Sequence, residues 1–425
     1  MIMAAPVERK FDVVIFGASG FTGQFVVEEL ARVADEERDI KWAIAGRSKG
    51  KLNDVLKQAE SVTGYSLSNI DVIIADVADE ESLESMCKQT KLVLNCVGPY
   101  RFWGEQVVKS CVENGCHHID ISGEPQFLET MQLKYDSKAR ENSVFVIGTC
   151  GFDSVPADIG TNFIQQQFPG ELNSVESYVT FNNGPKGGGL HYGTWLSAIH
   201  GLGDQQNLRK IRKQINPEPM PKMKPTLQRR GAVFHSSDMN KWCIPFLGAD
   251  AAVVRRTQRY QHEKRNKRPI QYGAYLALPN IFALIGLMLF GLIFIIMTKF
   301  RLGMYLLAKY PRLFSAGMCS HEGPSREQMK GSSFSMTFFG QGFNKDSSNK
   351  DQNDMKMVTK VTGPEPGYIT TPIAMVQCAV TVLKEPQSLP QCGGVFTPGT
   401  MFMDTKIIER LNNHGIKFTV VGDAK

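Results

Sequence analysis

Residues 11–23 read FDVVIFGASGFTG, an apolar run closed by Gly17, Gly20 and Gly23 and followed by a helical pattern from Gln24 to Ala34. A strand that runs into a glycine turn and then a helix N-terminus leaves unpaired N–H groups facing one point. Such a point attracts a pyrophosphate: Gly17 permits the tight turn, Gly20 lets backbone approach the anion, and Gly23 lets the helix lie close on the strand. The feature therefore predicts a doubly wound α/β domain that binds a nucleotide.

The next 120 or so residues repeat the strand and helix rhythm that a parallel sheet needs. Apolar runs at Trp42–Ala45, Asp71–Ala75, Leu92–Asn95, His118–Asp120 and Ser143–Ile147 are separated by helical patterns near 51–63, 80–89 and 105–114. Six strands are expected, with the ligand crevice at their carboxyl ends. We expect a Rossmann domain over residues 1–155 and a second, mixed α/β domain over 156–425. Residues 203–270, basic and rich in proline, and 273–312, strongly apolar, interrupt the second domain.

The apolar interruption constrains location. Leu276–Met297 holds 22 residues without a charge, and a helix of that length covers about 33 Å. Arg255 to Arg268 precede it, and Lys299, Arg301, Lys309 and Arg312 follow. Basic flanks on both sides favour the cytoplasmic face for both. The expected arrangement is a shallow or re-entrant contact with a membrane or lipid-droplet surface, bent at Pro279–Asn280, Gly286 or Gly291. Leu302, Tyr305, Leu306 and Leu307 would support it in the headgroup layer. A buried core helix, or a helix covered in a homodimer, are the alternatives.

Charge and cysteine content exclude other classes. Arg209 to Arg268 carry 16 Lys and Arg against four acids within a chain of net charge +6, yet no zinc-finger or RNA-binding signature accompanies them, so no nucleic-acid partner is expected. The first ten residues lack an apolar leader core, and secretion is not expected. Nine cysteines at irregular spacing, without a CxxC pair, fit reduced thiols rather than disulfides. Cys111, Cys116, His117 and His118 match no common ligand spacing, so no metal is expected.

Each strand end offers a candidate contact. The turn supplies Gly17, Ser19, Gly20, Phe21, Thr22 and Gly23. The second strand ends in Gly46-Arg47-Ser48 where NAD enzymes carry an acid, so a 2′-phosphate, and hence NADP(H) over NAD(H), is favoured; Arg47 stacked on an adenine is the alternative. Asp76 is a candidate for the adenine edge or a plain loop acid. Asn95, Cys96, Val97, Gly98 and Pro99 end the fourth strand near the nicotinamide ribose. Candidates for proton transfer are Tyr100, Asp120, Glu124, Asp153 and His191, with Glu124 before Pro125 also suited to starting a helix.

GASGFTG, AGRS, NCVGPY, HHIDISGE and TCGFDSVPADIG resemble the saccharopine dehydrogenase family in order and spacing. GGGLHYGTWLSA, GPEPGYITTPIAMVQCAV and GGVFTPGTMF resemble its second half, so the likeness covers nearly the whole chain. The resemblance implies an NAD(P)-dependent oxidoreductase with cofactor contacts at Gly17–Gly23, Arg47 and Asn95–Pro99. The chain is also similar to bacterial members linked to enoyl reduction in glycolipid synthesis, and the apolar segment would dock the enzyme where a hydrophobic, lipid-like substrate is concentrated. The competing expectation is a non-catalytic NADP-binding scaffold or redox sensor at a membrane surface.

Overall fold

In the computed structural model, which describes residues 8–37, 39–201, 205–347 and 350–422, the first apolar runs form a parallel sheet. Its strands are β1 (Phe11–Phe16), β2 (Trp42–Gly46), β3 (Asp71–Ile74), β4 (Thr90–Asn95), β5 (His117–Asp120) and β6 (Phe145–Ile147). Helices α1 (Phe21–Glu37), α2 (Lys49–Thr63), α3 (Glu80–Gln89), α4 (Tyr100–Glu113) and α5 (Pro125–Glu141) cover both faces. The run WAIAG of β2 is buried throughout, as a strand sandwiched between helix layers must be. A further strand, β15, comes from far downstream: Gly394–Phe396 pairs in parallel with Phe145–Ile147. The spatial order is β15-β6-β5-β4-β1-β2-β3. The strand order runs outward in opposite senses from the parallel pair β1 and β4, and that switch point opens the crevice.

Helix α6 (Val155–Gln167) leads into a second, mostly antiparallel sheet. Its central strand β7 (Glu171–Asn182) pairs with β11 (Gln271–Leu278) on one side and β13 (Ser333–Phe343) on the other. The short strand β8 (Leu190–His191) precedes α7 (Tyr192–Gly201). The basic segment contains α8 (Gln205–Ile215), β9 (Phe234–Ser236), β10 (Lys241–Pro245) and α9 (Asp250–Arg265), and its prolines Pro217 to Pro225 lie in the irregular stretch between α8 and β9. Helix α9 buries Val253 and Val254 but also Thr257, Gln258 and Gln261, and that half-polar inner face hides it from a hydrophobic periodicity.

The apolar stretch divides where its proline lies. Leu276 to Leu278 finish strand β11, and helix α10 runs from Ile281 to Thr298, 18 residues or about 27 Å. Asn280 caps it, its side chain accepting from Ala283 N at 2.9 Å. Gly286 and Gly291 pass through without a break, so the bends fall at Pro279–Asn280 and again near Phe300, where α11 (Arg301–Lys309) turns back. Leu307 is buried against the protein rather than turned to a headgroup layer, whereas Leu302 is 68% exposed. The other long apolar helix, Thr371–Lys384, lies inside the core.

Candidate functional site

The glycine turn has the form a phosphate needs. Gly17 adopts φ +82, and a Cβ there would sit 2.7 Å from Val97 Cγ2. A Cβ on Gly23 would lie 2.2 Å from the Gly17 carbonyl oxygen, so only hydrogen allows α1 to start this close to β1. The neighbouring strands lock the turn: Gly17 N donates to Ala45 O at 3.0 Å, and Cys96 N to Phe16 O at 2.8 Å. The first N–H groups of α1, from Phe21, Thr22 and Gly23, are therefore fixed at the end of β1, where an anion is stabilised. The cradle fits a dinucleotide: a methyl group on either glycine would press within 3 Å of the Val97 side chain or the turn's own backbone, so hydrogen alone keeps the turn this tight.

The end of β2 is where the adenosine side of a dinucleotide is expected. Arg47 is exposed, and Ser19 Oγ would lie 3.7 Å from a Cβ on Gly46, which puts the hydroxyl beside the arginine's strand end. Ser48 and Asp76, both candidate contacts, spend their side chains locally. Ser48 caps α2 toward Lys51 N, and Asp76 Oδ1 accepts from Ala78 N at 3.0 Å. If Arg47 binds a 2′-phosphate, Arg47→Ser is expected to weaken NADPH about 10- to 100-fold and leave NADH nearly unchanged, the range set by a charge-assisted hydrogen bond. Parallel titrations of the two cofactors check it.

At the end of β4, Asn95 is buried and holds structure together. Its Oδ1 accepts from Val97 N at 3.0 Å, and its amide nitrogen lies 3.3 Å from His118 Nε2. Cys96 is a thiol that burial pushes up to about 12, so it offers no thiolate at neutral pH. Tyr100 begins α4, and its hydroxyl donates to Asn95 O at 2.7 Å. Burial holds the phenol well above its ordinary value.

Three candidate carboxylates gather beyond β5 and β6. Asp120 is buried and accepts from Ser122 N at 2.9 Å and Thr149 N at 3.0 Å; burial raises it to about 6. Glu124 precedes α5 and is engaged by Arg101 Nε at 2.9 Å, Tyr100 N at 3.1 Å and Ser197 Oγ at 3.2 Å. Asp153 differs from both. Its Oδ2 lies 2.7 Å from where a Cβ on Gly123 would be, it accepts no hydrogen bond from the described residues, and burial raises it to about 6.

The loop that presents Asp153 is strained at both ends, with Thr149 at φ 63 and Ser154 at φ 133. Both lie in the left-handed region that L side chains rarely adopt. Long-range partners hold it there: Phe152 N donates to Thr371 Oγ1 at 3.0 Å, and Ser154 Oγ lies 3.4 Å from Asp250 Oδ1.

His191 arrives from the second sheet and stacks on Phe21 at 4.5 Å with the rings nearly parallel. It therefore sits over the first residue of α1, apart from the carboxylates. Its Nδ1 accepts from Gly193 N at 3.1 Å, and burial lowers its pKa. Tyr368 completes this aromatic cap: its hydroxyl accepts from His191 N at 2.7 Å, and its ring meets Phe21 edge-on at 4.8 Å. Tyr368 escaped the reading by strand ends, and only the GPEPGY motif marked it. The thiols that meet are Cys87, Cys111 and Cys116, all buried, with their sulfurs within 4.8 Å of one another and 3.7 Å between the first two, a set that differs from the cysteine and histidine run weighed from the sequence. His117 and His118 turn elsewhere, toward Phe145 N and Asn95.

Comparison with known proteins agrees with this geometry. Residues 13–147 match the saccharopine dehydrogenase NADP-binding domain. The saccharopine dehydrogenase-like oxidoreductase of Rattus norvegicus is 50% identical over 424 residues, covering 98% of this chain and 99% of that one. The lipid droplet localized protein of Caenorhabditis elegans is 39% identical, covering 96% and 98%. Among solved structures, saccharopine dehydrogenase (L-Glu forming) from Saccharomyces cerevisiae covers 97% of this chain and all of its own with a TM-score of 0.55 at 12% identity, a likeness of fold. With this identity sustained along its whole length, the chain belongs to the saccharopine dehydrogenase-like oxidoreductases and carries their NADP-binding domain.

Proposed function

We propose that the chain moves hydride between NADP(H) and a hydrophobic, lipid-type substrate while resting on the cytoplasmic face of a membrane or on a lipid droplet. The observation that carries this reading is the exposed face of α10 and α11. Phe282 is 79% exposed, Leu292 57% and Phe300 61%, and no acid occurs from Leu276 to Arg312 while Lys299, Arg301, Lys309 and Arg312 do. An apolar patch of that kind rimmed by cations suits a lipid surface. The topology suits a monotopic contact. Strand β11 before the helix and strand β13 after it both pair with β7, so the chain enters and leaves from one side. The name of the worm relative agrees with that location.

The bound cofactor would supply the hydride. The protein's part is to hold the pyrophosphate at Gly17–Gly23, set the nicotinamide end against the strand ends near Asn95–Pro99, and provide a proton. We assign the proton to Asp153, whose carboxyl is the least committed of the three. In the reducing direction the hydride forms a C–H bond on the substrate carbon. The proton leaves the Asp153 carboxyl for the carbonyl oxygen, or for the adjacent carbon of an enoyl group, and NADP⁺ is the other product.

The expected pH dependence has a definite sign. The active form is the protonated acid, so kcat/KM for reduction should be flat below about pH 6 and fall tenfold per unit above it. Asp153→Asn should lower kcat by about 10²- to 10⁴-fold and remove that limb, with NADPH binding retained. NADPH oxidation is measured against enoyl and keto lipids presented in droplets. Tight NADPH binding without turnover across the panel would point instead to the scaffold, and efficient turnover of a water-soluble amino acid would also overturn the reading.

A further inference from the structure

Helix α7 stands between the apolar hairpin and the crevice and touches both with opposite faces. On one face Trp195 is buried, its Nε1–H donates to Leu307 O at 2.9 Å, and its ring packs on Phe294 at 5.0 Å and Phe290 at 6.1 Å. Ile199, one turn later, joins the same cluster. On the other face Ser197 Oγ donates to Glu124 Oε1 at 3.2 Å, and the His200 carbonyl accepts from Arg101 Nη1 at 2.6 Å. Two residues along a helix is a rotation of about 200°, so the separation is built into the positions themselves. Just before the helix lies His191, stacked on Phe21 at the phosphate turn.

The hairpin has little other hold on the body. The buried side chains of α10 are Leu284, Phe294 and Thr298, and Leu307 is the buried side chain of α11. Phe294 and Leu307 both belong to the cluster around Trp195. The hairpin's main partner is therefore α7, whose Ser197 meets Glu124 and whose preceding residue, His191, meets Phe21.

We infer that Trp195 and Ser197 are positioning residues through which engagement of a phospholipid surface by α10–α11 tightens binding of NADPH in the crevice. The inference rests on the lipid-surface reading above. Docking restrains the hairpin, the restrained hairpin fixes α7, and a fixed α7 holds Glu124, Arg101 and the His191–Phe21 stack in the arrangement that receives the cofactor. Because the link is thermodynamic, it is reciprocal: NADPH must tighten vesicle binding by the same factor.

The test titrates the full chain with NADPH, with and without phosphatidylcholine–phosphatidylserine vesicles, and repeats the vesicle titration with and without NADPH. In the natural protein the vesicles should lower the NADPH Kd about fivefold or more, the lower range of typical coupling. In Ser197→Ala and Trp195→Phe that ratio should fall to near one while both variants still bind vesicles and melt cooperatively, Ser197→Ala close to the natural protein; Ser197→Thr should restore it. A purely structural role would move the melting temperature and leave the ratio. Vesicle binding with an unchanged NADPH Kd in the natural protein, or full coupling in both variants, would overturn the inference alone. Failure to bind vesicles at all would overturn the lipid-surface reading with it.

Discussion

Replacing Gly23 by valine is expected to weaken NADPH binding by more than about 100-fold, the largest loss available from a single change in the nucleotide cradle. An added Cβ would stand 2.2 Å from Gly17 O and 3.0 Å from Ala18 Cα. These are backbone atoms within the turn itself, so no side chain can swing aside. The start of α1 must move outward by roughly 1 Å to restore an ordinary contact, and its first N–H groups move with it. A shift of that size breaks several hydrogen bonds to a doubly charged pyrophosphate at once, each worth about 1.5–3 kcal/mol. The rest of the fold has independent support, since Val26, Val27 and Leu30 of α1 are fully buried against the sheet. The variant should thus keep a cooperative melt at somewhat reduced stability. Calorimetric titration with NADPH decides: binding within threefold of the natural protein would show that the cofactor does not use this helix end.

The same turn was the most legible part of the sequence, because strand, glycine turn and helix are all local. So were β1 to β6, whose apolar runs stand between helical patterns except for α5, which was marked only at its start by Glu124–Pro125. Strand β15 was not legible: three residues, Gly-Val-Phe, carry no period, and only pairing with Phe145–Ile147 about 250 residues away makes them a strand. Polar residues at strand ends gave a mixed result for a physical reason. Asn95, Ser48 and Asp76 lie where ligand contacts are expected, and their short side chains also accept from nearby backbone N–H groups. Asp153 and His191 were candidates by motif. Their separation into a carboxylate group and an aromatic cap on Phe21 depends on loops held by Thr371 and Tyr368, which belong to the far end of the chain.

A second large effect is expected from Leu289→Asp combined with Ile293→Asp on the exposed face of α10. Both positions are more than half exposed, so the protein without lipid has little reason to resist the change, and melting and NADPH binding should stay near those of the natural chain. On a lipid surface the expectation reverses. An acid costs about 2.5–3.5 kcal/mol in the middle of an apolar helix inserted in a membrane, so two should reduce partitioning about 10³-fold even where a shallow position softens each cost. Flotation with phospholipid-coated droplets measures it. The buried helix Thr371–Lys384 supplies the control, because Val376 is fully buried. Val376→Asp places an unpaired charge in the core and should unfold the protein whether or not lipid is present. The two helices share an apolar composition and differ in what covers them. If the α10 pair unfolds the protein as Val376→Asp does, the exposed face is covered by protein in solution. If flotation of the α10 variant matches the natural chain, its apolar face is not what meets the lipid.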